Sequence, residues 1–406
     1  MTDLFKAVIL TDIDAGAQRW RVMSALLVAS ALNIPFGTIY AFSVFLRPME
    51  QQLGVSRTEM SVVFASATVA LALGMNLLPV LARRMSGVAL IPIAGLIGAL
   101  GIVIVTQAQG FWMLFIGYGV LFGLGGGLSF TAVQQCVNQA TVRPSGLANG
   151  YVVSTYPIGA MIGAPVFSAT LHLWGIGPTL WLLAGVLGGA GVLGGWLFRR
   201  AGLTLLSAAA AQSPPQPVSL SDPVFTRLFA VFFLAASAGL MVLGQAAAML
   251  HAYGAGAGMA AAATTVITAV LAASRLAGGW LVDHWQMRSV AIGANLCAFA
   301  GAVLITLWPV PLSALFALSL LGAGYGLMSG ASAGYIPRLW PRDLFAAIAA
   351  RLYVAWCLAA VCLPVLAGWL FDLTESYRAA VMVAAVGNLA GAWLARRIAL
   401  TGARTP

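Results

Sequence analysis

The sequence predicts an all-α membrane protein: twelve transmembrane helices in two pseudo-symmetric six-helix domains. Three observations predict it. The chain is 61% hydrophobic and only 7% charged, against about 25% charged residues in a soluble domain. Apolar runs of about twenty residues recur from end to end, each long enough to cross a bilayer as a helix. A Ser-Pro-Pro-Gln-Pro stretch at 213–217 cannot continue a helix and falls almost at mid-chain, with six runs on each side. The expected organisation is an N-terminal domain over 1–200, a cytoplasmic linker over 201–222 and a C-terminal domain over 223–406.

Residues 1–20 read as a polar N-terminus with Asp3, Asp12 and Asp14 and no small-residue cleavage site, so no removable signal peptide is expected. The first helix is expected from Val22 to Leu46, with Asn33, Gly37, Tyr40 and Val44 on one face. Ser56-Arg57-Thr58-Glu59 is a capping box that opens the second helix, which ends at Arg83-Arg84. The third spans Val88–Gln107 and the fourth Phe111–Gln135. The fifth follows Arg143-Pro144-Ser145-Gly146 and holds Pro157 and Pro165; the sixth ends at Arg199-Arg200. The later runs fall at 225–250, 258–283, 289–308, 312–335, 345–370 and 378–396.

Weak internal similarity points to duplication. Gly123–Leu128 (GLGGGL) resembles Gly322–Leu327 (GAGYGL). Aligning Ala82-Arg83-Arg84 with Asp283-His284-Trp285 puts Gly74 opposite Arg275, so the first half lacks a matching cation. Glycine recurs every four residues at 119, 123 and 127 and again at 322, 326, 330 and 334, the pattern of close helix packing.

The net charge of +10 belongs to loops. One set of alternate connections holds Lys6, Arg19, Arg21, Arg83, Arg84, Arg143, Arg199, Arg200, Arg227, Arg288, Arg338, Arg342, Arg396, Arg397 and Arg404; the other holds Arg47, Arg57 and Arg378. The positive-inside rule then places both termini in the cytoplasm of a multi-pass inner-membrane protein. No nucleic-acid partner is implied. The four cysteines match no metal spacing and read as packed thiols. All ten acidic residues fall at helix ends, in loops or in tails. That excludes a buried catalytic carboxylate pair and an oxygen cage for a hard metal; no metal, cofactor or enzymatic activity is expected.

Arg275 breaks an otherwise apolar run, Ala269–Trp285, and is the one charge placed well inside the hydrocarbon; Arg351 is expected in the inner turns of the eleventh helix, reaching outward. Arg275 lies eight residues before Asp283, roughly 12 Å up the helix. A guanidinium at that depth costs about 2.5–3.5 kcal/mol on the mildest scale. A substrate anion would offset it; the alternative is a bond to helix carbonyls that holds a kink. Tyr40, Tyr118, Phe130, Tyr325, Tyr353 and Trp356 also lie deep in their runs. Buried Tyr hydroxyls need partners, so these residues are candidates for binding or gating. His251, on the outer part of the seventh helix, is the proton-coupling candidate, since histidine changes charge near neutral pH.

With these residues in view, the chain resembles the major facilitator superfamily. Gly278–Arg288 (GGWLVDHWQMR) is similar to that family's Gly-x-x-x-Asp-Arg-x-Gly-x-Arg signature, and Ala82 replaces the Asp in the first copy. Within the superfamily, Gly37–Phe45 followed by Pro48, Arg143–Gly150, His251 with Tyr253 and Gly254, and Arg275 resemble the monocarboxylate transporter and oxalate–formate antiporter group. The resemblance implies a carboxylate bound by Arg275; the deep residues Tyr118, Tyr325, Tyr353, Asn33, Tyr40, Phe130 and Trp356 are the candidates expected around it. The resemblance also implies an inner gate using Asp283, Arg288, Arg83 and Arg84. Two departures narrow it. Trp356 stands where oxalate exchangers carry a second cation, and Leu271 where animal monocarboxylate transporters carry an Asp. The expected activity is secondary active transport of a lactate- or pyruvate-like monocarboxylate with a proton, by alternating access, in a monomer in the lipid bilayer. The alternatives are a carboxylate exchanger and a non-transporting sensor.

Overall fold

The computed structural model describes residues 16–143, 145–206 and 222–398, among which there is no strand. Twelve helices among them are long and apolar enough to cross a membrane. The Ser-Pro-Pro-Gln-Pro stretch, Lys6, Arg404, Pro144 and the three N-terminal aspartates lie outside the described residues, as do the side chains of Arg47 and Arg57.

In chain order the helices are α1 (Gly16–Gly37), α2 (Ser43–Leu53), α3 (Arg57–Arg84), α4 (Gly87–Thr106), α5 (Phe111–Leu114), α6 (Gly123–Ala140), α7 (Gly146–Trp174), α8 (Ile176–Arg200), α9 (Pro223–Ala252), α10 (Ala257–His284), α11 (Met287–Leu307), α12 (Pro311–Leu339), α13 (Phe345–Thr374) and α14 (Arg378–Ala395). The capping box forms as expected: Ser56 N–H donates to Glu59 Oε2 at 2.7 Å, and Glu59 N–H donates to Ser56 Oγ at 3.2 Å. Many large apolar side chains, such as Leu73, Leu77 and Val80 on α3, stay exposed, as suits a surface solvated by lipid.

Two expected helices differ. The first is broken: α1 stops at Gly37, a 3₁₀ turn follows over Thr38–Ala41, and α2 resumes at Ser43. Pro35 has no N–H for the ladder, and Thr38 Oγ1 donates to the Pro35 carbonyl at 2.6 Å. Gly37 and Gly159 then allow backbone contact: a Cβ on Gly37 would lie 2.2 Å from the Tyr156 carbonyl, and one on Gly159 2.1 Å from the Ile34 carbonyl. The fourth span runs on to Ala140 rather than Gln135, and an early part of it, Phe115–Phe122, is a π-helix joining α5 to α6.

The described residues fall into two compact units. The first holds those of Met1–Ala148, Thr155–Pro217 and Trp340–Arg351; the second holds those of Asn149–Ser154, Val218–Leu339 and Leu352–Pro406. Asn149–Ser154 of α7 thus belong to the second unit, and the start of α13, through Arg351, to the first. At the edge of the expected linker, Leu203 and Leu205 are buried.

The same glycine contacts recur in the two units and fix the register of the repeat. Gly101 lies on the Gly117 carbonyl, and Gly301 on the Ala317 carbonyl, a shift of 200 residues in both helices. Beyond the π segment, Gly127 lies on the Leu71 carbonyl and Gly326 on the Leu271 carbonyl. Here α3 to α10 still shifts by 200, but α6 to α12 by 199. The π turn holds the one extra residue, as such bulges do. The counterpart of Arg275 is therefore Met75, not Gly74, and the counterpart of Tyr325 is Gly126.

Candidate functional site

Arg275 lies on α10, nine residues before its end. Its side chain is 3% exposed. Nη1 donates to the Val153 carbonyl of α7 at 2.7 Å, and Nη2 to the Tyr325 hydroxyl of α12 at 2.8 Å. The guanidinium carbon is 5.1 Å from the Tyr325 ring centroid, within cation–π range. Close packing fixes the backbone beneath it. A Cβ on Gly330 would stand 1.8 Å from the Arg275 carbonyl, and one on Gly150 2.8 Å from it. Ser154 Oγ reaches across from α7 to the Ala272 carbonyl at 2.9 Å.

Phe232 of α9 extends this cluster. Its ring centroid is 6.5 Å from that of Tyr325 and 6.0 Å, edge-on, from that of Tyr353. The second unit thus gathers Arg275, Tyr325 and Tyr353 through a phenylalanine that the sequence did not single out. Trp356 is buried one turn beyond Tyr353.

The remaining candidates are in the first unit. Tyr118, on the π segment, packs its ring 4.7 Å from both Phe122 and Phe42. Tyr40 and Phe130 both meet Tyr156, at 6.4 and 4.9 Å, and Tyr156 Oη donates to the Gly126 carbonyl at 3.0 Å. Asn33 is fully buried on α1. Arg351 is half-buried on α13, with Nη1 enclosed by protein. It is a second arginine inside a span.

His251 is exposed on the last turn of α9, with Nδ1 3.1 Å from the Ala255 carbonyl. That contact holds the turn in which Gly254 takes a φ of 87°. Beside it, burial pushes the Tyr253 phenol up, partly offset by the Arg378 charge.

A family model described as Major Facilitator Superfamily matches residues 26–361. The chain belongs to the major facilitator superfamily. No curated protein matches it. Among solved structures, it is similar to a major facilitator transporter, FucP, in the outward conformation. The TM-score is 0.74 at 15% identity, over 94% of this chain and 100% of that one. It is also similar to the proton:xylose symporter XylE bound to 6-bromo-6-deoxy-D-glucose, with TM-score 0.71 at 13% identity, over 94% of this chain and 96% of that one. A variant of the E. coli fucose:proton symporter FucP gives 0.63 at 17% identity, over 94% and 100%. Likeness at these identities is one of fold. The chain is a multi-pass membrane transporter.

In this major facilitator protein, Asp283 of the signature motif accepts from Arg338 of α12, which also donates to the Val282 carbonyl. Arg288 is half-buried, and Arg83 and Arg84 are exposed at the end of α3. Arg338 appears in the sequence only as one of many inner-loop cations, so its pairing was not legible there.

A further polar cluster in the first unit was also missed. Gln135 donates to the Leu205 carbonyl at 2.8 Å and to the Arg342 carbonyl at 3.0 Å, and accepts from Ala346 N–H at 3.0 Å. Gln139 donates to Asp343 at 2.6 Å, and Arg342 donates to the Thr141 and Val142 carbonyls. Gln135 and Gln139 stand four residues apart, on one face of a helix. The signal was present, but ending the fourth helix at Gln135 left Gln139 outside it.

Proposed function

We propose that this transporter moves small monocarboxylates of the lactate or pyruvate type, together with a proton, by alternating access. The observation that carries the reading is Arg275, a permanent cation buried in a span and held by a carbonyl, a hydroxyl and an aromatic face. Such a site favours an anion: one carboxylate accepts two parallel N–H bonds from a guanidinium, the strongest geometry that pair can adopt. Tyr325 and Tyr353 would bound the substrate in the C-terminal domain (223–406), and Asn33, Tyr40, Tyr118 and Phe130 in the N-terminal domain (1–200). Trp356 would exclude a second carboxylate. His251 would carry the coupled proton, or the proton would enter with the acid. Asp283, Arg288, Arg83 and Arg84 would serve the inner gate. We place the protein in the inner membrane as a monomer with both termini cytoplasmic.

Uptake of labelled lactate into proteoliposomes, with and without an inward proton gradient, tests this reading. The gradient should accelerate uptake severalfold; uptake indifferent to it rules out symport. Fucose and xylose belong in the same assay, because the structurally similar FucP and XylE are named for those sugars. A neutral sugar offers a buried guanidinium no charge to pair with, so sugar uptake without lactate uptake would overturn the monocarboxylate reading.

A further inference from the structure

We propose that Pro157 is a positioning residue for Arg275: it frees the backbone carbonyl on which the guanidinium rests until a substrate anion replaces it. In an unbroken helix the Val153 carbonyl accepts from the N–H four residues on. That residue is Pro157, which lies inside α7 and has no N–H. The carbonyl left open is the one to which Arg275 Nη1 donates, at 2.7 Å. It is brought within reach by the close approach of α7 to α10, where Gly150 lies on the Arg275 carbonyl and Ser154 on the Ala272 carbonyl.

The proposal rests on the reading of Arg275 as the anion-binding group. A neutral acceptor suits a resting site. It satisfies a buried donor, yet a carboxylate outcompetes it because charge-assisted bonds are about twice as strong as neutral ones. An aspartate there would hold the guanidinium against the substrate. Binding then exchanges the Val153 carbonyl for carboxylate oxygen and releases the start of α7 from α10. No proton or covalent bond moves in this step.

The test is lactate affinity and thermal stability of the purified, full-length transporter carrying Pro157→Ala or Pro157→Gly. Both variants return an N–H to the Val153 carbonyl and weaken the resting site; glycine also leaves the backbone freer to bend there than alanine does. The Kd for lactate should fall about fivefold in both, since less is lost on leaving the carbonyl. The melting temperature should fall without ligand and return to the wild-type value at saturating lactate. Pro165→Gly, on the same helix, returns an N–H to the carbonyl of Met161 instead and should leave the Kd unchanged.

An unchanged or raised Kd in both Pro157 variants overturns the proposal. So does a fall in Pro157→Ala alone, which assigns the effect to straightening, or an equal fall in Pro165→Gly. Arg275→Ala separates the two levels. If it abolishes lactate binding while the Pro157 variants bind as wild type, only the role of Pro157 fails. If it binds lactate normally, the anion-site reading fails as well.

Discussion

Tyr325 meets Arg275 twice, through its hydroxyl and through its ring. Its counterpart in the first unit is Gly126, and that of Arg275 is Met75, so the second unit alone holds both members of the pair. Tyr325→Phe keeps the ring and removes the acceptor. A buried charged donor left unmet costs about 1–3 kcal/mol, so the ligand-free variant should melt at a lower temperature in detergent. An unchanged melting curve would remove the hydroxyl from the account. Arg275 was legible in the sequence because a charge in an apolar run stands out. Tyr325 was visible as a deep tyrosine. The Val153 carbonyl was not, since a backbone acceptor has no letter of its own; only Pro157, four residues on, marks it. Phe232 is one of nineteen phenylalanines, and nothing but its position selects it.

At the scale of elements, the twelve spans were legible because hydropathy reports length and burial. The break after Gly37 and the π turn at Phe115–Phe122 were not, because an almost wholly apolar run carries no period from which to count residues per turn. The π turn did leave a trace: the glycine match falls at a shift of 199, while the helix starts at Arg57 and Ala257 stand 200 apart. Glycine spacing was informative, but not uniformly. A Cβ on Gly330 would enter the Arg275 carbonyl at 1.8 Å, whereas one on Gly322 would meet Ile267 at an ordinary 3.4 Å. Gly330→Ala should therefore destabilise by about 1–3 kcal/mol and Gly322→Ala by much less, as read by thermal melting. Equal effects would contradict the helix register described here.

For the whole molecule, the distribution of Lys and Arg is what supports the proposed orientation, with both termini cytoplasmic. Single cysteines placed at Ser86 and Gly110, in a background lacking Cys136, Cys297, Cys357 and Cys362, test it. In right-side-out vesicles an impermeant maleimide should label position 110 and spare 86; the reverse pattern would invert the topology. Family and fold follow from the sequence as a whole, because two sets of six spans and one signature motif leave few alternatives. Substrate does not, because it depends on a handful of side chains whose neighbours lie far away in the chain: Val153 and Arg275 are 122 residues apart, Arg275 and Tyr325 50. The claim on which the rest depends is that Arg275 carries the substrate anion. The most direct measurement is initial lactate uptake by Arg275→Ala beside wild type, in proteoliposomes of equal protein content. The account predicts that uptake falls to the level of protein-free liposomes; uptake at the wild-type rate would contradict it.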